Sequence, residues 1–290
     1  MCGINGFNFK DIDLIKKMLA ITSSRGPDNM DYFETDDYTV GHNRLSIIDP
    51  DKRSNQPYYF KNYILSFNGE IYNYIDIKKR LISEGYEFET TSDTEVIIKL
   101  FDSKGIDSFK DLSGIFSISI YDLKLKKLYL ARDVVGVKPL YYYFEPSSKK
   151  FIFSSLINSI LIFLKNKQLN YDAITSYSNF NRNDYRETFF KNIFKVLPGE
   201  LVEFSNGNYK RSKILNFEFN KNKNQSEIKS DISYNFSNQF LSDVPVALSL
   251  SGGIDSNIVL QELLKNKGTN FTNYSVTFKN SLKYQEDHKA

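Results

Sequence analysis

Cys2 is the residue whose position most directly suggests chemistry. Removal of Met1 would leave a thiol and a free α-amine on the same residue. An α-amine has a pKa of about 8 and a thiol has a pKa of about 8.5, so the amine can act as the base that activates the sulfur. The alternative is an ordinary cysteine in a frayed tail. The apolar and glycine-containing segment 3–7 favours a buried first strand, and therefore an N-terminal nucleophile.

The pair Asn68-Gly69 offers donors for an oxyanion. An Asn side-chain amide and a Gly backbone N–H can both stabilise the negative oxygen that forms during acyl transfer. Asn-Gly is also the commonest hairpin turn, and the apolar runs 63–67 and 70–74 on either side suit that structure. Taken alone, the pair leaves both interpretations open.

Two charged residues could hold an amino acid. Arg44 can bind a carboxylate through two parallel hydrogen bonds, and Asp93 can bind an ammonium group. Each has a structural alternative. Arg44 could be a solvated strand residue, and the segment 92–95 (SDTE) has the pattern of a helix capping box.

A second candidate site lies at residues 250–256, which read LSGGIDS. The segment follows an apolar strand and precedes a helix, where backbone N–H groups of a glycine-rich loop form a cradle for anions. It lacks the Gly-Lys-Ser/Thr of a Walker loop, which excludes a kinase or motor of that type. The alternative is a tight turn before a helix that Asp255 or Ser256 caps.

The composition excludes several classes of protein. The length of 290 residues suggests about two domains. The 15% aromatic content excludes disorder, a mean hydropathy of −0.42 excludes a membrane span, and a net charge of +3 is too small for a nucleic-acid footprint. The single cysteine excludes an intramolecular disulfide, and the N-terminus does not resemble a signal peptide. A cytoplasmic setting is expected.

The elements that must position these residues form two groups. The first runs to residue 217 and alternates strands with two helices, 75–83 and 95–101. It ends in a hairpin around Asn206-Gly207. The other predicted strands are 40–49, 63–67, 70–74, 115–122, 127–132, 140–144 and 151–154.

The second group begins after a polar, repetitive linker. Apolar residues recur every four positions from 228 to 240, which predicts an amphipathic helix. A strand at 244–250, a helix at 256–266 and a strand at 271–278 then predict a parallel βαβ unit. The predicted domains are 1–217 and 226–290, with the linker at 218–225.

In combination these segments resemble the glutamine-dependent asparagine synthetase family, whose N-terminal half is a class II glutamine amidotransferase. The resemblance covers essentially the whole chain, and ten motifs in the family's order make it specific. They are MCGI (1–4), RGPD (25–28), HNRLSIID (42–49), SNQP (54–57), FNGEIYN (67–73), SDTE (92–95), LSGIF (112–116), ARDVVGVKPLYY (131–142), LPGE (197–200) and DVPVALSLSGGIDS (243–256).

The resemblance implies both a fold and a reaction. The fold would be an α+β N-terminal-nucleophile hydrolase, a four-layer αββα sandwich, followed by the beginning of an α/β parallel-sheet ATP-pyrophosphatase domain. Glutamine would yield ammonia, which attacks an acyl-AMP formed from aspartate. ATP and Mg²⁺ would be co-substrates, with no prosthetic group. Glutamine, ATP and aspartate are thus the expected partners, without nucleic acid or membrane, and a homodimer is the candidate assembly.

The resemblance also implies roles for individual residues. Cys2 would attack glutamine, and Asn68 and Gly69 would form the oxyanion hole. The implied glutamine-binding residues are Arg44, Leu45, Ser46, Ile47, Ile48, Asn68, Gly69, Glu70 and Asp93. The implied ATP-binding residues are Leu250, Ser251, Gly252, Gly253, Asp255, Ser256 and Val276, with Asp255 near Mg²⁺.

The chain departs from the family pattern in three places. Ser24 stands where the family usually has His, and Asn257 stands where it usually has Ser. The chain also stops at Ala290, so we expect a C-terminal truncation of the synthetase part. A glutaminase that supplies ammonia to a separate partner is therefore the alternative function. Retention of Cys2 disfavours a non-catalytic remnant.

Overall fold

The computed structural model describes residues 1–181, 186–216, 222–268 and 271–276. The chain divides into two compact units, Met1–Phe217 and Glu218–Ala290. Within the described residues, no helix combines the length and apolar character needed to cross a membrane.

Two six-stranded antiparallel sheets form the first unit. The strands are β1 (Gly3–Phe7), β2 (Asn29–Glu34), β3 (Thr39–Arg44), β4 (Tyr58–Phe60), β5 (Tyr63–Ile71), β6 (Gly114–Asp122), β7 (Lys127–Arg132), β8 (Tyr141–Glu145), β9 (Lys150–Ser154), β10 (Ile193–Lys195), β11 (Glu200–Ser205) and β12 (Asn208–Lys213). The strand order is β10-β8-β9-β1-β3-β2 in the first sheet and β12-β11-β7-β6-β5-β4 in the second. The helices are α1 (Ile12–Thr22), α2 (Tyr74–Ser83), α3 (Asp93–Lys104), α4 (Ile157–Leu161) and α5 (Tyr171–Phe180).

Three hydrophobic clusters separate four layers in this unit. Successive side chains of a strand point to opposite faces, so each sheet contributes to two clusters. On β1, Ile4 faces the cluster between the sheets, and Phe7 faces α1 and α4 on the outer side. On β7, Leu130 faces the central cluster, and Ala131 faces α2 and α3. The expected αββα sandwich is therefore confirmed.

Two strand predictions need correction. The predicted strand 40–49 ends at Arg44, because the chain then bends into a loop. The two short strands around Asn68-Gly69 are one continuous strand, β5, which pairs with β6 along its full length. The hairpin alternative for Asn68-Gly69 is therefore wrong. The other Asn-Gly turn is confirmed, with positive φ at both Asn206 and Gly207.

The second unit contains a parallel βαβ arrangement. Its elements are α6 (Gln225–Gln239), β13 (Ala247–Ser249), α7 (Ile254–Lys267) and β14 (Thr272–Tyr274). The strands β13 and β14 pair in parallel, as predicted. Both are shorter than predicted, and residues 277 and 278 of the predicted second strand lie outside the described residues. The same holds for linker residues 218–221.

Candidate active site

A pocket in the first unit collects residues from the N-terminus, β3, β5, the start of α3 and the loops between them. It contains nearly every residue expected in a glutamine site, although these lie far apart in the sequence. Ser46 does not line it, since its backbone N–H turns to the Asp28 carboxylate (2.7 Å). The lining residues are Met1, Cys2, Arg44, Leu45, Ile47, Ile48, Gln56, Phe67, Asn68, Gly69, Glu70, Ser92, Asp93, Thr94 and Lys138.

Cys2 is held at this pocket through its backbone carbonyl, its thiol and the neighbouring residue Gly3. Gly3, the next residue, already pairs with Asn43 of β3. The Arg25 Nε donates to the Cys2 carbonyl (2.9 Å), and the Leu45 N–H donates to Cys2 Sγ (3.4 Å). These contacts exclude the frayed-tail interpretation. Burial raises the pKa of the Cys2 thiol, so forming the thiolate requires a nearby base.

The edge of β5 supplies backbone N–H groups to the pocket. Pairing with β4 stops at Leu65, and beyond it the Phe67 N–H donates to Gln56 Oε1 (2.6 Å) and the Ile71 N–H to Asp93 Oδ2 (3.2 Å). Alternate residues of a strand direct their N–H groups to the same side, so the Gly69 N–H points to this edge between the other two. It is therefore placed to donate to a bound ligand.

No side chain larger than hydrogen fits at Gly69. A Cβ there would lie 2.0 Å from the Ile115 carbonyl oxygen and 2.7 Å from Phe116 Cα, both on the neighbouring strand β6. The close approach of the two backbones explains why this position requires glycine.

The Asn68 side chain is buried with its hydrogen-bonding capacity unused. It is 1% exposed, and neither Nδ2 nor Oδ1 has a hydrogen-bond partner among the described residues. A buried amide without partners costs free energy. Its Nδ2 is thus a donor available to a ligand in the pocket.

Arg44 shapes the loop that follows β3. Its Nη1 donates to the Asp51 carbonyl (2.9 Å) and Asn55 Oδ1 (2.8 Å), and its Nη2 donates to the carbonyls of Ile48 (3.3 Å) and Asp49 (2.5 Å). The side chain is buried, so the solvated-strand interpretation is wrong. Four of its five N–H groups bind the protein, which leaves the Nε–H rather than a free two-pronged fork.

Asp93 is a buried carboxylate at the first turn of α3. Ser92 caps the helix by accepting from the Thr94 N–H (3.1 Å), but Glu95 turns away to Thr90 and Lys99, so the expected capping box forms only in part. Burial, with the nearby carboxylate of Glu70 adding to it, raises the pKa of Asp93 to about 7. An ammonium ligand would relieve this cost.

Lys138 and Gln56 line the pocket and were not among the predicted site residues. Lys138 is presented by a loop in which the Asp133 carboxylate accepts from the N–H groups of four residues, 135–138. Burial lowers the pKa of Lys138, and nearby Glu70 opposes that shift. The motifs ARDVVGVKPLYY and SNQP contained both residues, but a single sequence gives no sign that they face the pocket.

The glycine-rich segment of the second unit forms an open turn. Gly253 occupies the N-cap of α7 without a side-chain capping bond, so the alternative, in which Asp255 or Ser256 caps the helix, is wrong. The Ser256 hydroxyl instead donates to the Gly253 carbonyl (3.0 Å). Asp255 is exposed, and Val276 is 78% exposed. The first N–H groups of α7 are thus accessible to an anion.

A metal ion has no ready-made cage in the described part of the chain, where no group of three or more His, Cys, Asp or Glu could hold one. Mg²⁺ that arrives with a nucleotide needs only one or two carboxylates, because phosphates supply other ligands. The exposed carboxylate of Asp255 fits that requirement.

Family models match both units of the chain. A family model described as a glutamine amidotransferase domain matches residues 1–214, and one described as asparagine synthase matches residues 228–290. A putative glutamine-hydrolysing asparagine synthetase 2 of Methanocaldococcus jannaschii is 32% identical over 90% of this chain and 56% of its own length. Glutamine-hydrolysing asparagine synthetase 1 of Bacillus subtilis is 32% identical over 90% of this chain and 43% of its own length.

The chain thus spans about half the length of these curated relatives. Among solved structures, glutamine phosphoribosylpyrophosphate amidotransferase of B. subtilis matches with a TM-score of 0.55 and 16% identity, over 94% of this chain and 65% of that one. This likeness supports the N-terminal-nucleophile fold. The chain belongs to the glutamine amidotransferase domain family, in the form found in glutamine-hydrolysing asparagine synthetases.

Proposed function

We propose that the first unit hydrolyses glutamine to glutamate and ammonia at Cys2. The observation that carries this proposal is one pocket in which the Cys2 thiol, the unused Asn68 amide and the edge of β5 at Gly69 meet a buried carboxylate, Asp93. The thiol attacks the amide carbon of glutamine, its proton passes through the α-amine to the leaving ammonia, and water then hydrolyses the thioester.

The oxyanion of each tetrahedral intermediate lies between Asn68 Nδ2 and the Gly69 N–H. Both donors are fixed before the substrate arrives, and this preorganisation is what makes such donors effective. Asn68 is buried with no described partner, so it need not break an existing hydrogen bond to bind the oxyanion.

The α-groups of glutamine bind at the opposite end of the pocket. The ammonium pairs with Asp93, with Glu70 adding negative charge beside it. The carboxylate binds to the backbone of the loop 45–48. Arg44 holds this loop in place through its hydrogen bonds to the carbonyls of Ile48 and Asp49. Arg44 therefore acts both through its charge and by fixing the loop.

We expect the active protein to begin at Cys2. The mechanism needs a free α-amine on that residue, and Met1 itself lines the pocket. Intact-mass measurement of active protein should show the loss of one methionine. An active preparation that retains Met1 would contradict the assignment of the α-amine as the base.

Glutamine affinity should fall in mild acid. The ammonium of glutamine needs the ionised form of Asp93, whose pKa is raised to about 7 in the free protein, so affinity is full above that pH. Below it, protonation should raise the Kd by about tenfold per pH unit. Calorimetry of glutamine binding to Cys2→Ala would measure this without turnover. Asp93→Asn should bind weakly at every pH, and an unchanged acid dependence in that variant would contradict the assignment.

Arg44→Ala should chiefly weaken glutamine binding. Removing a buried, hydrogen-bonded charge of this kind costs on the order of 2–5 kcal/mol, so KM should rise far more than kcat falls. The matched control is Arg53→Ala on the same loop, where the guanidinium is exposed and pairs with Asp51. Its effect should stay within about 1 kcal/mol. Glutamine kinetics of Arg44→Ala equal to those of the control would contradict the proposed role.

For the second unit we propose nucleotide binding at residues 250–256. The loop and the start of α7 would hold the phosphates of ATP, Asp255 one Mg²⁺ ion, and Val276 would contact the adenine. Mg²⁺ would neutralise phosphate charge in the transfer of AMP to a carboxylate, most simply that of aspartate, and ammonia would then give asparagine, AMP and pyrophosphate. The match of residues 228–290 to asparagine synthase supports this reaction.

The two steps can be tested separately. The 290-residue chain is incubated with glutamine, aspartate, ATP and Mg²⁺, and glutamate, asparagine and pyrophosphate are quantified. We expect glutamate without asparagine, because the described part of the second unit buries only three hydrophobic side chains, Phe240, Leu250 and Leu263. Asparagine with equal pyrophosphate would overturn that expectation.

A further inference from the structure

The Phe67 backbone is held at both of its polar groups by side chains. Its N–H donates to Gln56 Oε1 (2.6 Å), and its carbonyl accepts from His42 Nε2 (2.9 Å). His42 is fully buried and Gln56 is 4% exposed. Neither side chain takes part in the proposed reaction, although Phe67 directly precedes the two proposed oxyanion donors, Asn68 and Gly69.

The proton of His42 can be located from these contacts. Burial lowers the pKa of His42 to about 4, so the imidazole is neutral at physiological pH and carries one proton. The Phe67 carbonyl can only accept, which places that proton on Nε2. His42 Nδ1 has no hydrogen-bond partner in the described residues. The bond to Phe67 is therefore the one that His42 makes with its ring.

This arrangement replaces a missing strand. Because β4 pairs with β5 only as far as Leu65, no strand among the described residues pairs with the edge of β5 at Phe67. Gln56 and His42 bind the two groups that a strand would have bound. A shift of the Phe67 peptide would move Asn68 and the Gly69 N–H together, since both follow on the same strand.

Gln56 also joins the two ends of the pocket. Its Oε1 holds the Phe67 N–H, and its Nε2 donates to Thr94 Oγ1 (3.3 Å), which follows Asp93 at the start of α3. One amide thus links the oxyanion strand to the helix that carries the proposed ammonium-binding carboxylate.

We propose that His42 and Gln56 are positioning residues that hold the Phe67 peptide from both sides and thereby fix the oxyanion donors Asn68 and Gly69. The proposal rests on the glutaminase activity proposed above. It assigns His42 no proton transfer with the substrate, since its ring bonds to the backbone rather than to the reacting atoms.

The test compares three variants with a matched control. His42→Phe removes the donor and keeps a ring, His42→Gln returns an N–H donor, and Gln56→Met removes both hydrogen bonds of the amide. The control is Tyr38→Phe, which removes a buried hydrogen bond to Ser119 (3.2 Å) at the residue directly before β3, the strand of His42. Thermal unfolding checks that each variant is folded at the assay temperature.

Two readouts report on the oxyanion donors. The first is kcat against KM for glutamine. The second is inhibition by glutamate γ-semialdehyde. The Cys2 thiol adds to its carbonyl without a leaving group: an S–C bond forms, the C=O becomes C–O, and the thiol proton ends on that oxygen. Such an adduct places its oxygen where the oxyanion forms, so its affinity follows transition-state stabilisation.

We expect His42→Phe and Gln56→Met each to lower kcat by about 10–100-fold and to weaken inhibition by the aldehyde by the same factor. The KM for glutamine should change much less. His42→Gln should recover part of the loss, and Tyr38→Phe should match the wild type. Wild-type kcat and inhibition in a folded His42→Phe or Gln56→Met protein would overturn the proposal. Losses of kcat and inhibition no larger than those in Tyr38→Phe would also overturn it. Unfolding of both His42→Phe and Gln56→Met at the assay temperature would overturn it as well, because the two residues would then have a structural role. A wild-type protein without glutaminase activity would instead overturn the proposed function.

Discussion

Replacing Cys2 with alanine is expected to abolish glutamine hydrolysis, with a loss of about 10³-fold or more, because the nucleophile and the covalent intermediate both disappear. Glutamine binding should survive, since the groups proposed to hold its α-ammonium and α-carboxylate, Asp93 and the loop fixed by Arg44, remain in place. Glutamate release measures the first effect, and calorimetry with glutamine measures the second.

Cys2 is the only cysteine of the chain, so one experiment can connect its thiol to the activity. Alkylation should proceed to one adduct per chain, and glutamine should slow it by occupying the pocket. Glutaminase activity in Cys2→Ala above about a thousandth of the wild-type rate would contradict the nucleophile assignment. Loss of both activity and glutamine binding would point to damage of the pocket instead.

Gly69→Ala should cause the second-largest loss of glutaminase activity, after Cys2→Ala. The added Cβ would meet backbone atoms, the Ile115 oxygen at 2.0 Å and Phe116 Cα at 2.7 Å, and backbone cannot move aside as a flexible side chain can. The strand β5 must shift away from β6 and carry the proposed oxyanion donors with it. We expect kcat to fall by about 10²-fold or more and the free energy of unfolding by about 1–3 kcal/mol.

The matched control is Gly85→Ala. Gly85 has φ +93°, but an added Cβ there meets nothing within 4 Å. It should lose about 1 kcal/mol or slightly more of stability from backbone strain, with an unchanged kcat. Denaturant unfolding and glutaminase kinetics on both variants separate strain from catalysis. If Gly69→Ala kept the kcat of Gly85→Ala, the Gly69 N–H would not be an oxyanion donor.

Sequence reasoning predicted individual strands and a hairpin, because strand alternation and turn chemistry are local signals. The layered αββα fold was expected from the family resemblance. The segment 127–132 matches β7, and the Asn206-Gly207 hairpin forms where its turn residues indicate. The same local rule gave the wrong alternative at Asn68-Gly69. There the pairing with β6 continues through both residues, so tertiary contact overrides the turn preference.

The candidate site was predictable as a set of residue types but not as an arrangement. A guanidinium that could clamp a carboxylate was expected at Arg44, yet most of its donors hold carbonyls of the following loop. Gln56 and Lys138 both reach the pocket from loops that lie far from Cys2 in the sequence. Such contacts depend on where distant segments meet, and no pattern within one segment encodes them.

The position of Met1 has a practical consequence. Met1 lines the pocket itself. A chain that keeps Met1 therefore has an extra side chain at the pocket, and its α-amine belongs to Met1 instead of Cys2, where the proposed mechanism uses it as the base. Any residue attached ahead of Cys2, including an affinity tag, would occupy the same space. We therefore expect the newly made protein to be inactive until the methionine is removed, which makes that cleavage its maturation step.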